Sequence, residues 1–275
     1  MGSFSRYGWR EMKALGVVGG SGAPVPVVCS SVRNHRFRVS FSSSPSSGPK
    51  TVEQVGIAAP KSEYKPGVFD DLFLNLFRNK LVQEVGWDSE KPGYDGLIEV
   101  ANRLMVKGTT NTDTVEAAVR ILRSLFPPYL LELYKMLIAP IGGGKIAAMM
   151  VARVTVLTCQ WLMGPSKLYS VDLPDGISCS SGVYVERCKY LEESKCVGIC
   201  TNTCKFPTQS FFKDHMGVPL LMEPNFGDYS CQFKFGVLPP LDDTIVKEPC
   251  LEACPNASQR RTVARNIDIT ACPKT

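Results

Sequence analysis

Nine of the eleven cysteines of this 275-residue chain fall between Cys179 and Cys272, and four of them crowd into CKYLEESKCVGICTNTCKFPTQSFF, residues 188–212. Thiols at that density act as disulfides, as buried small hydrophobes or as metal ligands, and each role ties distant parts of the chain together. The region around them has little helical periodicity. GVYVE at 182–186 and SCQFKFG at 230–236 read as strands, PLLM at 219–222 can pair with the second as a hairpin, and PNFGD supplies the turn residues.

Ahead of Pro165 the pattern is helical. In GVFDDLFLNLFRNKLVQEVG, Phe69, Leu72, Phe73, Leu76, Leu81 and Val85 recur at helical spacing and Gly86 is the stop; YDGLIEVANRLMVKG repeats the pattern and ends at Gly108. TNTDTVEAAVRILRSLFPP carries a capping-box signature from Asp113 to Glu116, and Pro127 and Pro128 force a break before YLLELYKMLIAP. The longest apolar stretch, KIAAMMVARVTVLTCQWLMGP at 145–165, is near the length of a membrane span, but Arg153 at its middle favours a helix interior over a transmembrane helix. Its small and soft residues suit a core, or a groove for a long apolar ligand. IGGGKI at 141–146 lacks the earlier glycine of a phosphate loop, where Ala139 stands, and has Ile146 in place of Ser or Thr. Its glycines end one helix and turn into the next. The expected fold is mainly α: a helical N-terminal bundle over residues 64–165 with a small cysteine-rich α+β C-terminal unit over 166–275.

The first 49 residues hold six Lys or Arg, one acid and eleven serines with no secretory apolar run, the composition of an organelle transit peptide, expected to be disordered, or of a disordered basic tail; the family resemblance given below makes it a chloroplast transit peptide. Removing six of 31 cations and one of 26 acids leaves 25 of each, so the net charge of +5 belongs to the leader. A near-neutral mature chain argues against a nucleic-acid partner. Histidine supply is equally informative. Only His35, in the leader, and His215 are present, so sites built on several imidazoles are excluded. A Ser-His-Asp hydrolase would rest on His215, which follows Asp214 in a polar stretch without a nucleophile elbow and reads as a surface histidine.

Any transition metal would therefore be held by thiolate. On a continuous helix Cys196, Cys200 and Cys204 would share a face but span ~12 Å, too far for one small metal centre. Gly198, Thr201, Asn202 and Thr203 are weak helix formers and Pro207 is a helix stop, so the sequence predicts an interrupted helix with a turn folded around a cluster. Cys250 and Cys254 repeat the four-residue step in PCLEACP, and Cys188 and Cys231 come within reach only through the fold. Spacing leaves three readings open. Iron, as an iron-sulfur cluster or thiolate-bound iron, finds enough ligands among Cys188, Cys196, Cys200, Cys204, Cys231, Cys250 and Cys254. Structural zinc would take four thiolates but lacks CxxC knuckles. Disulfides fit the paired steps but not a reducing stroma. Cys159, Cys179 and Cys272 read as structural.

The stretch GVYVERCKYLEESKCVGICTNTCKFPTQSFFKDHMGVPLLMEPNFGDYSCQFKFGVLPP, with the later PCLEACP, closely resembles the plastid beta-carotene isomerase family that opens strigolactone biosynthesis in plants. The resemblance extends more loosely from Val68 to Pro165, where VFDDLFLNLFRNKLVQEVGWDSEKPGYDGLIEVANRLM is similar to the isomerase-like paralogous branch. It implies an iron-containing plastid enzyme that interconverts all-trans-beta-carotene and its 9-cis isomer. Rotation about a conjugated double bond requires a lowered bond order, which a polyene reaches by one-electron transfer or protonation; thiolate-bound iron exchanges one electron. The expectation is iron held by Cys196, Cys200, Cys204 and one further cysteine, beside an apolar groove lined by the 129–163 helices. Peripheral contact with plastid membranes goes with a carotenoid substrate. The competing expectation is a non-catalytic scaffold, stapled by zinc or disulfides, that carries carotenoid or a partner protein.

Overall fold

The amphipathic repeats fold as helices close to their expected places. In the computed structural model, which describes residues 29–31, 67, 69–241, 243 and 249–258, α1 runs Asp70–Val85, α2 Gly93–Lys107, α3 Asn111–Ser124, α4 Leu130–Leu137 and α5 Lys145–Thr158. A single turn, α6, follows at Gln160–Met163. Helix α1 stops at Gly86, whose left-handed backbone (φ 76°) lets its N–H bond the Val82 carbonyl. The box that opens α3 is Thr110–Asp113, one turn before the Asp113–Glu116 pair expected from the sequence. Thr110 takes the extended backbone of an N-cap and accepts from the Asp113 N–H, while the Asp113 carboxylate accepts from the Thr110 N–H.

Gly142, Gly143 and Gly144 are all left-handed (φ 61°, 67° and 86°), a run that only glycine adopts without strain, and they turn the chain from α4 into α5. Helix α5 packs Ala147, Ala148, Val151 and Ala152 inward and contacts the sheet through the same face. Its other face is outside: Arg153, Val154 and Leu157 are exposed. Only 33% of Ile141–Thr158, the one helix among the described residues long and apolar enough to cross a membrane, lies inside the protein. The helix-interior reading thus holds for one side of α5.

The C-terminal unit is built on a mostly buried strand. β3 (Ile177–Val185) pairs antiparallel with β2 (Ser166–Asp172) along one edge and with β5 (Cys231–Phe235) along the second half of the other, and β4 (Leu220–Pro224) pairs with β5. The β4–β5 hairpin expected at PLLM and SCQFKFG is present, with Cys231, Phe233 and Phe235 inward at alternate positions. β2 was not expected. Its alternation is interrupted by a register shift between Tyr169 and Val171, which blurs the two-residue period in the sequence.

One described segment falls in the expected leader. β1 (Cys29–Ser31) pairs antiparallel with β3, Cys29 opposite Cys179, along the stretch that β5 leaves open. For these three residues strand pairing replaces the disorder expected of 1–49; the rest of that expectation, and Cys272, lie outside the described residues. Cys179 is disulfide-bonded. A single continuous core joins Leu97, Val100 and Leu104 of α2 to Val183 and Val185 of β3 and to Leu191, so the helical and cysteine-rich parts share their interior.

Thr110→Ala removes one arm of the α3 box and should lower stability by about 1 kcal/mol, read as a shifted urea midpoint. The Thr110 N–H holds the Asp113 carboxyl below its ordinary value of 3.8. This contribution is therefore complete above that value and is lost as pH falls through the lowered pKa.

Candidate functional site

The cysteine-rich stretch enters the core as a helix. Cys188 leads α7 (Lys189–Ser194), which ends at left-handed Lys195 (φ 47°); Cys196 is extended (φ −136°, ψ 115°) and precedes α8 (Val197–Ile199). A π-helical segment, Cys200–Lys205, comes next, then α9 (Phe206–Ser210) and a second π-helical segment, Phe211–His215. The backbone at Ile199, Cys200, Lys205, Phe206, Ser210 and Phe211 stays right-handed, so the helix is widened where an interruption was expected. The Phe206 N–H reaches back five residues to Thr201. The weak helix formers support this winding: Thr201 donates to the Val197 carbonyl (2.9 Å), Asn202 to Gly198 (3.1 Å) and Thr203 to Ile199 (2.7 Å). In a regular α-helix the Pro207 ring would strike the Thr203 carbonyl; the wider turn relieves that conflict.

The winding decides where the thiols point. Cys188, Cys200, Cys204 and Cys231 line one cavity, with about 1120 Å³ of unfilled space including its open mouth. Phe77 of α1, Phe126 after α3, Trp161 of α6 and Phe211 and Phe212 supply aromatic walls, and Cys159 adds a fifth thiol. The expected trio Cys196, Cys200 and Cys204 is not brought together. Cys196 lies outside the helix proper, in contact with the Cys254 thiol and within 3.8 Å of the Asn256 amide nitrogen. Cys250 is half-buried and lines no part of the cavity. Of the 129–163 helices, only Thr155, Cys159 and Trp161–Met163 reach the cavity, because the first half of α5 is spent on the sheet, where Met149 packs with Val171, Leu173 and Cys179.

Among the described residues, all seven cysteines proposed as metal ligands, and Cys159, lie outside disulfides. Burial pushes the Cys188, Cys200 and Cys231 thiols up and takes Cys204 to about 12, with the neighbouring thiols of the cavity adding to the effect at each except Cys188. Cys196 is also raised, chiefly by its hydrogen bond with Cys254. Without a metal these thiols are neutral. Among the described residues no three His, Cys, Asp or Glu side chains stand close enough to hold one metal ion. Four soft sulfur donors around an apolar cavity do fit, in type and number, the thiolate set of an iron-sulfur cluster, which spreads its ligands more widely than a single ion.

Few other polar groups reach the cavity. The Lys205 ammonium is neutralised by Asp243 (2.5 Å), which also accepts from the Gln209 amide (3.0 Å), while Gln209 accepts from the Met222 N–H (2.8 Å). The Tyr190 hydroxyl is held by Thr203 (2.7 Å), and burial raises its pKa strongly. His215 lies outside the cavity against the Phe211 ring, its pKa lowered by burial and then by Arg123. Sequence reasoning missed the aromatic walls, since Phe77 and Trp161 come from two separate helices and Phe126 from the turn after a third, and no local pattern joins them.

In the metal-free protein the sign of the thiol shifts fixes a pH dependence. Their stabilising effect is complete below the ordinary thiol value of 9.0 and is lost as pH rises through about 12 for Cys204. The urea midpoint of the metal-free chain should fall between pH 8 and pH 10.5, and Cys204→Ala should flatten that fall.

The family described as Beta-carotene isomerase D27-like, C-terminal matches residues 161–244, which contain Trp161 and the four cavity thiols. Beta-carotene isomerase D27, chloroplastic, of Arabidopsis thaliana is 36% identical over 193 residues, 68% of this chain and 70% of its own length. Its namesake in Medicago truncatula is 35% identical over 193 residues, 70% of this chain and 75% of its own. No solved structure matches. Both relatives are named chloroplastic, in keeping with the transit-peptide composition of residues 1–49. Since 193 aligned residues are more than the cysteine-rich unit contains, the likeness includes helical residues that wall the cavity as well as its thiols, and the chain belongs to the beta-carotene isomerase D27-like family.

Proposed function

We propose that the chain is a plastid carotenoid cis–trans isomerase that interconverts all-trans-beta-carotene and 9-cis-beta-carotene with the help of iron, at the entry to strigolactone biosynthesis. The observation that carries this reading is an open apolar cavity whose walls are aromatic rings and four thiols, Cys188, Cys200 and Cys231 buried and Cys204 half-buried. In this reading Cys188, Cys200, Cys204 and Cys231 hold the iron, and Cys196, Cys250 and Cys254 are structural. Bound there, iron would supply one-electron exchange that lowers the order of a conjugated double bond.

The chain's own groups supply the remainder. Phe77, Phe126, Trp161 and Phe211 hold a polyene by dispersion, many contacts of ~0.1–0.2 kcal/mol each, and their ring faces favour transient positive charge on it. The Lys205 charge would oppose such a cation, and its pairing with Asp243 removes that opposition. With Tyr190 committed to Thr203 and His215 outside, the cavity offers no proton donor of ordinary acidity, which favours electron transfer over protonation. The cavity excludes water from the activated polyene. The substrate itself dissolves in membranes, so peripheral contact with a plastid membrane accompanies this reading.

The test is incubation of anaerobically purified protein with all-trans- and 9-cis-beta-carotene, with chromatography of the product isomers and metal analysis. Cys200→Ala and Cys204→Ala should lose iron and at least about tenfold in turnover together, whereas Cys196→Ser should keep both. Colourless, iron-free protein with full turnover would refute the iron assignment. Carotene binding without turnover would support the scaffold reading instead.

A further inference from the structure

Three apolar stripes on the protein surface run up to the walls of the cavity. On α1 and its N-cap, Phe69, Leu72, Phe73 and Leu76 are exposed at helical spacing, and the stripe continues to Phe77. Along α4 and the turn before it, Tyr129, Leu130, Leu133, Met136 and Leu137 are exposed, and this strip begins at Phe126. On α5, Met150, Val154 and Leu157 are exposed at the same spacing and lead to Trp161. Isolated exposed apolar residues are ordinary, but three stripes that each run into a wall residue of one cavity are not.

We propose that this face docks on a lipid bilayer with anionic headgroups. Helix α4 and its preceding turn lie at the level of the headgroups and hold the cavity mouth against the hydrocarbon, so that an apolar polyene passes between membrane and cavity without crossing water. The delivery role rests on the carotenoid reading above; the docking itself rests on the surface alone.

Several observations select a bilayer over a protein partner. Ile141–Thr158 has the composition to cross a membrane, yet 33% of it is inside the protein and one face of α5 is packed on β3, so lipid cannot surround it. An apolar helix bound on one side and bare on the other suits an interfacial position. Between Ile121 and Cys159 the charged residues are Arg123, Lys135, Lys145 and Arg153 against Glu132. Lys145 is paired with Asp175, while Arg123, Lys135 and Arg153 make no ion pair among the described residues, and Lys135 donates to the Asp214 carbonyl. Cations bordering the α4 and α5 stripes match anionic headgroups, which their long stems can reach. Tyr129, 76% exposed on a left-handed backbone (φ 67°), presents an amphipathic ring of the kind found at membrane interfaces.

The experiment is co-sedimentation of the full chain with phosphatidylcholine vesicles containing phosphatidylglycerol and no carotenoid, at physiological salt, the basic residues 1–49 being common to both proteins compared. The comparison is Leu133→Lys/Leu137→Lys, two exposed positions that do not line the cavity. Wild-type protein should pellet with the vesicles, and the variant should partition at least about tenfold more weakly. Its melting temperature and its turnover of beta-carotene in detergent micelles should match wild type, while turnover of carotene embedded in vesicles falls with partition. Wild-type protein left in the supernatant, or a variant that partitions equally well, overturns the proposal. So does a wild-type dimer that the variant converts to monomer with neither binding vesicles, which assigns the face to a second copy. Vesicle binding with no turnover in either medium supports docking and sinks the carotenoid reading.

Discussion

The Phe206 N–H reaches back five residues to Thr201, and the side chains of Thr201, Asn202 and Thr203 donate to the carbonyls of Val197, Gly198 and Ile199. These bonds let a stretch of weak helix formers, with a proline close behind it, pass through the protein interior as helix, where an unpaired polar backbone would be costly. Cys200, Cys204 and Phe211 are carried to the cavity by that passage, and Cys188 and Cys231 meet them from a preceding turn and a neighbouring strand. The candidate chemistry depends on local winding before it depends on any one thiol.

Desolvation acts on the result in two ways. It keeps the thiols protonated when nothing binds them, which makes them compatible with an apolar core, and it makes the cavity favourable for a ligand with no polar groups. The one ammonium in the wall is tolerated because Asp243 neutralises it, and Gln209 ties that carboxylate to the N–H of β4 at Met222. The same pair draws residue 243 toward the cavity wall.

Much of the fold was legible because its signals are local. Periodicity located α1, α2 and α3, the glycines marked the turn into α5, and alternation marked β4 and β5. Errors arose where one local signal overlapped another. Asp113 can open a box as well as close one, and only the extended backbone of Thr110 decides which. Thr201, Asn202, Thr203 and Pro207 read as helix breakers because propensity scales omit side-chain bonds to displaced carbonyls. Sequence could nominate seven cysteines as candidate ligands but could not divide them. The division into four thiols at a cavity and Cys196 beside Cys254 comes from non-local packing and from the extended backbone at Cys196.

The widened turn also bears on how this stretch can change over generations. Each residue of an α-helix advances the chain by about 100°, so deletion of a single residue between Cys200 and Lys205 would tighten the coil and improve its hydrogen bonding, yet swing every later side chain round the axis. Phe211 would leave the cavity and Gln209 would lose its hold on β4. Residue count, more than residue identity, is what selection should guard here, and tolerated insertions or deletions should gather in the connections outside this coil.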